Sequence, residues 1–159
     1  MITLQDLFRN TLRQRYDRLI MGELRGPEAL DFLEAAMSSE GGMMTTIHLR
    51  KPELLVDRLY QIAHKHQIAM PFDLIQQVIY DTVDLVVQVD RDGSGHRHLS
   101  RIVEVARDGS MTDLFLWDPA SRTLVAHNPL SPDRQAWVTA HTRRPFVAQK
   151  TGEEGGNAS

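Results

Sequence analysis

Residues 15–26 read RYDRLIMGELRG, and the fold turns on this stretch. Leu19, Ile20 and Met21 are a short apolar run, which reads as a buried strand. Gly22-Glu23 closes it, and Arg25-Gly26 follow at once. An acidic side chain at the tip of such a strand is where nucleotide-hydrolysing folds orient water or magnesium beside a phosphate. A solvated loop glutamate, or one half of a Glu23–Arg25 ion pair, fits the same residues.

Working outward, Thr3-Leu4-Gln5-Asp6 reads as a helix start of the capping-box kind. Leu4, Leu7, Phe8 and Leu12 share the face of that helix. Pro27 suits the first turn of a second helix, with Ala29, Leu30, Leu33, Ala36 and Met37 as its apolar side. Residues 38–42 break it, and MMTTIH, residues 43–48, reads as a second buried strand ending at His48. Pro52 opens a helix carrying Leu55, Leu59 and Ile62, and Pro71 opens one carrying Ile75, Val78 and Ile79. Strands alternating with helices favour an α/β layer with parallel strands. Parallel strands bring their carboxyl ends to one edge, where ligands of such folds bind. Thr46 and His48 would share a face there. A histidine capping the next helix, or satisfied in the core, is the plainer alternative.

The pattern changes at Asp84. DLVVQVDR, HRHLSRIVEVAR, MTDLFLWD and RTLVAHN alternate as strands, with Asp92-Gly93 and Asp108-Gly109 as turns. This predicts an antiparallel β-meander over residues 84–130. Residues 131–148 read as a loose helical or irregular segment starting near Pro132, and 149–159 as a disordered polar tail.

With 159 residues, 42% hydrophobic and 25% charged, the chain has the composition of an ordinary globular protein. A net charge of −3 gives no bulk electrostatic reason to expect nucleic acid or a membrane surface. The absence of cysteine excludes disulfides and thiolate chemistry. Residues 1–8 lack the pattern of a signal peptide, so the cytoplasm is the expected compartment. His64/His66 and His96/His98 are H-x-H pairs, and on a strand His96 and His98 could hold a metal weakly; a solvated hairpin stem suits them better. Arg101, Arg107 and Arg122 read as a solvated face, with a partner surface as the alternative. Trp117 and Trp137 read as core or edge packing.

Taken together, DLFRNTLRQRYDRLIMGELRGPEALDFLEAAMSSEGGMMTTIH resembles the ATPases of type II and type IV secretion systems, particularly the CpaF-like branch of pilus-assembly and conjugation motors. That family carries LRxRPDRIhhGEhRG (h apolar), an EALD helix, a glycine-rich turn and a TTIH element called the His box. Leu12, Arg13, Arg15, Asp17, Arg18, Gly22, Glu23, Arg25, Gly26 and Glu28–Asp31 match the first part; Gly41 and Thr45–His48 match the second. The likeness continues through LLVDRLYQIA, PFDLIQQVIYDTVDLVVQVDR and RIVEV, to about residue 105. Tyr16 stands where the family has proline, and Leu49-Arg50 where it has alanine and asparagine.

The resemblance implies a partial RecA-like P-loop NTPase core over residues 1–83. It implies Gly22-Glu23 as the Walker B end, His48 as the sensor of the terminal phosphate, and Arg13, Arg15, Arg25 and Thr46 near the nucleotide or a subunit interface. It implies ATP and Mg2+ as ligands. It also implies assembly as a homo-oligomer (a hexamer in the family) or with a P-loop-bearing partner chain. Inner-membrane secretion components would be further partners, giving a peripheral location at that membrane. Yet the motif G-x-x-x-x-G-K-[ST] is absent: none of Lys51, Lys65 and Lys150 follows a glycine. The family places that loop upstream of the matching segment. The expectation is therefore a C-terminal fragment that is inactive alone, or a non-catalytic assembly or regulatory module of a secretion complex.

Overall fold

The computed structural model describes residues 4–11, 14, 16–38 and 42–141. Thr3, Leu12, Arg13, Arg15, Gly41 and the tail over 149–159, all singled out above, lie outside the described residues. The chain divides into two compact units, one of residues up to Asp84 together with Arg107–Gly109, the other of Leu85–Ala106 and the residues from Ser110 onward.

The first unit contains α1 (Leu4–Thr11), β1 (Arg18–Met21), α2 (Glu28–Ser38), β2 (Gly42–Thr45), a 3-10 turn at Pro52–Leu54, α3 (Leu55–Lys65) and α4 (Phe72–Thr82). β1 and β2 are parallel, as strands joined by a crossover helix must be, and pair Arg18↔Gly42 through Met21↔Thr45. The helices make the core. Phe8 of α1 meets Phe32 of α2 with ring centroids 6.5 Å apart. Ala29, Leu33 and Ala35 of α2 are buried, as are Leu55, Val56, Leu59, Ile62 and Ala63 of α3 and Ile75 and Ile79 of α4. Small alanines let α2 sit close to its neighbours. Its buried residues are Ala29, Phe32, Leu33 and Ala35; of the expected apolar side, Leu30 and Ala36 are half-buried and Met37 is exposed.

The expectation of two buried strands is corrected. Alternation sends Leu19, Met21, Met43 and Thr45 to a half-buried face, while Ile20 and Met44 stand 70% and 66% exposed on the other. β1 contains the whole expected run Leu19–Met21, whereas β2 ends at Thr45 rather than His48. Among the described residues this sheet has two strands, too few to bury a side chain on both faces.

The second unit is the meander, with β3 (Leu85–Arg91), β4 (Arg97–Val105), β5 (Met111–Asp118) and β6 (Thr123–Ala126) in that spatial order, every pair antiparallel. Val103, Val105 and Leu114 form its apolar centre. Buried Glu104 accepts hydrogen bonds from Ser131 N (2.9 Å) and Ser131 Oγ, with Arg134 Nε 3.5 Å away. These contacts fix the start of α5 (Pro132–His141).

Truncating a fully packed side chain should cost far more than trimming an exposed one. Leu59→Ala is expected to lower stability in urea unfolding by about 2–5 kcal/mol, and Met44→Ala by no more than about 0.5 kcal/mol. The exposed Ile20/Met44 face also predicts self-association at high protein concentration. Light scattering should detect it, and Ile20→Lys with Met44→Lys should reduce it.

Candidate functional site at the carboxyl end of the parallel pair

The pairing of β1 with β2 continues past the strands. Leu24 N donates to Thr46 O (2.9 Å), and the Thr46 hydroxyl donates to Gly22 O (2.6 Å) across 24 residues of sequence. This register lays residues 22–25 alongside 46–48 and delivers His48 to Glu23. His48 Nε2 stands 3.0 Å from Glu23 Oε1. Arg25 Nε donates to Glu23 Oε2 at 2.7 Å. Glu23, Arg25 and His48, each expected at the site from sequence, are thus in direct contact. The ion pair weighed for Glu23 and Arg25 is present. Thr46 and Gly22 serve as the backbone brace under the cluster.

The side chains of Arg25 and His48 are largely open to solvent, 73% and 81% exposed, whereas that of Glu23 is 23% exposed. Glu23 Oε1 is shielded from solvent and has no hydrogen bond of its own, so the 3.0 Å approach of His48 Nε2 lies out of hydrogen-bond line. The Arg25 hydrogen bond holds the Glu23 carboxyl below the usual carboxylate range; desolvation opposes this, and the charges of Arg25 and His48 add to it.

Glu28 has a role that the sequence reading missed. Its Oε1 accepts from Arg25 N (3.0 Å) and Gly26 N (2.8 Å), tying the β1–α2 connection to the first turn of α2. Burial works against its charge, but the backbone amides of Arg25, Gly26 and Glu28 itself outweigh it and lower its pKa. The available signal was an acid in the first helical turn, two residues past a glycine.

The other candidates separate. His96 Nδ1 lies 2.8 Å from Ser94 Oγ in the β3–β4 turn, while the His98 ring packs on Trp117 at 4.4 Å. Among the described residues no group of three or more His, Cys, Asp or Glu side chains is placed to hold a metal. The three meander arginines each face a carboxylate: Arg101 with Asp113, Arg107 with Asp81, Arg122 with Asp92. Trp137 does not pack into a core; it is exposed and stacks on His141. Among the described residues no helix is long and apolar enough to cross a membrane.

A parallel pair with an acid at its carboxyl end, followed by an antiparallel meander, defines a mixed α/β protein with a charged site at one strand edge. The family model for type II/IV secretion system proteins matches residues 1–113, and the chain belongs to this family. The type IV secretion system protein VirB11 of Brucella suis is 36% identical over 106 residues, covering 64% of this chain and 29% of that protein. PtlH of Bordetella pertussis is 32% identical over 112 residues (68% and 32%), and the conjugal transfer protein TrbB of Rhizobium radiobacter 37% over 91 residues (57% and 27%). The crystal structure of the Brucella suis VirB11 ATPase in complex with sulphate is similar, with TM-score 0.58, 35% identity, and 65% of this chain and 32% of that chain covered. The chain spans about a third of the length of VirB11 and PtlH.

The lowered carboxyl values have a pH consequence. A carboxyl group whose folded pKa is depressed contributes stability above its unfolded value and loses it as pH falls through the folded value. Stability should therefore decline on acidification as Glu23 and Glu28 protonate. Arg25→Ala should move the Glu23 titration upward in carboxyl 13C NMR; an unmoved titration would show that Arg25 does not set it.

Proposed function

We propose that these residues carry the water-positioning half of a secretion-system ATPase site, which is completed by a segment that supplies the phosphate-gripping loop. The register-enforced meeting of Glu23, Arg25 and His48 within 3.0 Å carries this reading. In it, Glu23 is the Walker B carboxylate that orients the attacking water or acts through magnesium. A carboxyl held ionised by Arg25 suits orienting and electrostatic work. Exposed His48 is the His-box donor to an oxyanion, and Arg25 adds positive charge where phosphoryl transfer concentrates negative charge. Arg13 and Arg15 belong to the nucleotide edge or a subunit interface.

The donor set fits ATP and Mg2+ in part. A carboxylate with two exposed N–H-bearing side chains suits the terminal-phosphate side, and ATP with Mg2+ would supply the transferable phosphoryl group. The sequence holds no Walker A lysine or loop amides for the remaining phosphates. The similarity to a VirB11 ATPase supports a RecA-like core for the completed particle. Assembly as a hexamer or with a P-loop-bearing chain, at the cytoplasmic side of inner-membrane secretion components, belongs to the same proposal.

A second reading, a non-catalytic assembly module, is favoured by the exposed Ile20/Met44 face and by a Glu23 whose two oxygens are both engaged. Mixing this chain with one bearing the P-loop segment separates the two. The ATPase reading expects turnover to appear on mixing and to fall by roughly 10²-fold or more with Glu23→Gln. Full turnover with Glu23→Gln would sink it. Tight association without turnover would favour the assembly module.

A further inference from the structure

The ion-pair geometry at Glu23 suits holding a carboxylate better than it suits using one. A general base needs a free oxygen directed at water. Here Oε2 accepts from Arg25 Nε, and Oε1 faces His48 Nε2 away from solvent. We propose that Arg25 and His48 clamp Glu23 as an internal stand-in for a phosphate oxyanion, so that an arriving oxyanion displaces Glu23 from the same two side chains and frees it to act. This inference rests on the reading of the site given above and names its regulation.

Three observations converge on exchange rather than a permanent pair. First, the clamp is incomplete: Oε1 is shielded from water yet receives no hydrogen bond, an arrangement that costs free energy in the closed state. Second, Arg25 and His48 are the exposed partners, at 73% and 81%, so an oxyanion reaches them without prior opening of the fold. Arg25 meets Glu23 through Nε, and a guanidinium carries further N–H donors in a fixed fork suited to phosphate. Third, the surrounding groups are committed elsewhere. The Glu28 carboxylate accepts from Arg25 N and Gly26 N, and the Thr46 hydroxyl donates to Gly22 O. The backbone around the clamp is thereby held while the side chains exchange. A multiply charged oxyanion gains more from the Arg25 charge and a His48 N–H donor than a single carboxylate does. Glu23 would then be released when the phosphate is in place, which ties its action to ligand arrival.

Pyrophosphate titration of this chain by calorimetry tests the idea. Removing the internal competitor should tighten binding, so Glu23→Gln and Glu23→Ala should each bind pyrophosphate more tightly than the parent chain, on the order of fivefold. Arg25→Ala with His48→Ala should abolish binding. The amide NMR spectrum of each variant checks that the fold is kept. Equal or weaker binding by both Glu23 variants overturns the clamp, as does binding that survives loss of both side chains, or no binding by any form. Turnover restored by a P-loop chain, with no tightening in the Glu23 variants, would remove the clamp and leave the ATPase reading standing. Tightening without restored turnover would do the reverse.

Discussion

The backbone register between β1 and β2 is the constraint on which the site depends. Glu23 and His48 are far apart in sequence and meet because Arg18 pairs with Gly42 and every later residue follows in step. A one-residue slip would move each side chain to the opposite face of the sheet. The Thr46 hydroxyl on Gly22 O and Leu24 N on Thr46 O carry the register beyond the last ladder residue, into the loop segments that hold the charges. Short strands of four residues thereby impose an arrangement on neighbours that are not themselves in strands.

Charge is then distributed by local backbone as well as by pairing. Glu28 takes the amides of Arg25 and Gly26, which fixes where the Arg25 backbone leaves the strand. The Arg25 side chain turns back to Glu23 over two residues of separation. The Arg25 hydrogen bond holds the Glu23 carboxyl below its ordinary range, and Arg25 and His48 are reachable because they are exposed. A short, half-buried segment can thus keep a carboxylate charged without enclosing it.

Much of this was legible in the sequence, for physical reasons. Helices at 28–38, 55–65 and 72–82 follow from 3.6-residue apolar spacing and the prolines before them, and the meander follows from alternation punctuated by Asp-Gly. Glu23 and His48 stood out by position but with plainer alternatives, and the family resemblance joined them with Arg25 into one site; the meeting of Glu23 with His48 follows from parallel pairing. What was not legible depends on tertiary cover. An apolar run such as Leu19–Met21 reads as buried on both faces, yet burial is decided by what packs on it, so Ile20 is exposed. Met37, on the same helix as buried Ala29 and Ala35, is likewise exposed because nothing among the described residues packs on it. Glu28 gives little signal because its partners are backbone amides, which every sequence possesses.

The chain offers an internal contrast that sharpens the reading of Glu23. Glu104 also faces an arginine, Arg134, but there both side chains are secluded, at 5% and 26% exposure, and two groups of Ser131 complete the acceptor. Removing one partner from such a cluster strands a buried charge, so its worth is structural. Arg101 and Asp113 form a similar half-buried bridge across β4 and β5. At Glu23 the pattern inverts: the carboxylate is sheltered, Arg25 and His48 are exposed, and one carboxylate oxygen lacks a hydrogen bond. Exposed polar pairs contribute little to stability, so packing of the unit gives no reason for two N–H-bearing side chains to converge on one carboxylate at a strand end. Recognition of a second anion does give one, because it requires donors that are held in place, accessible and only partly satisfied.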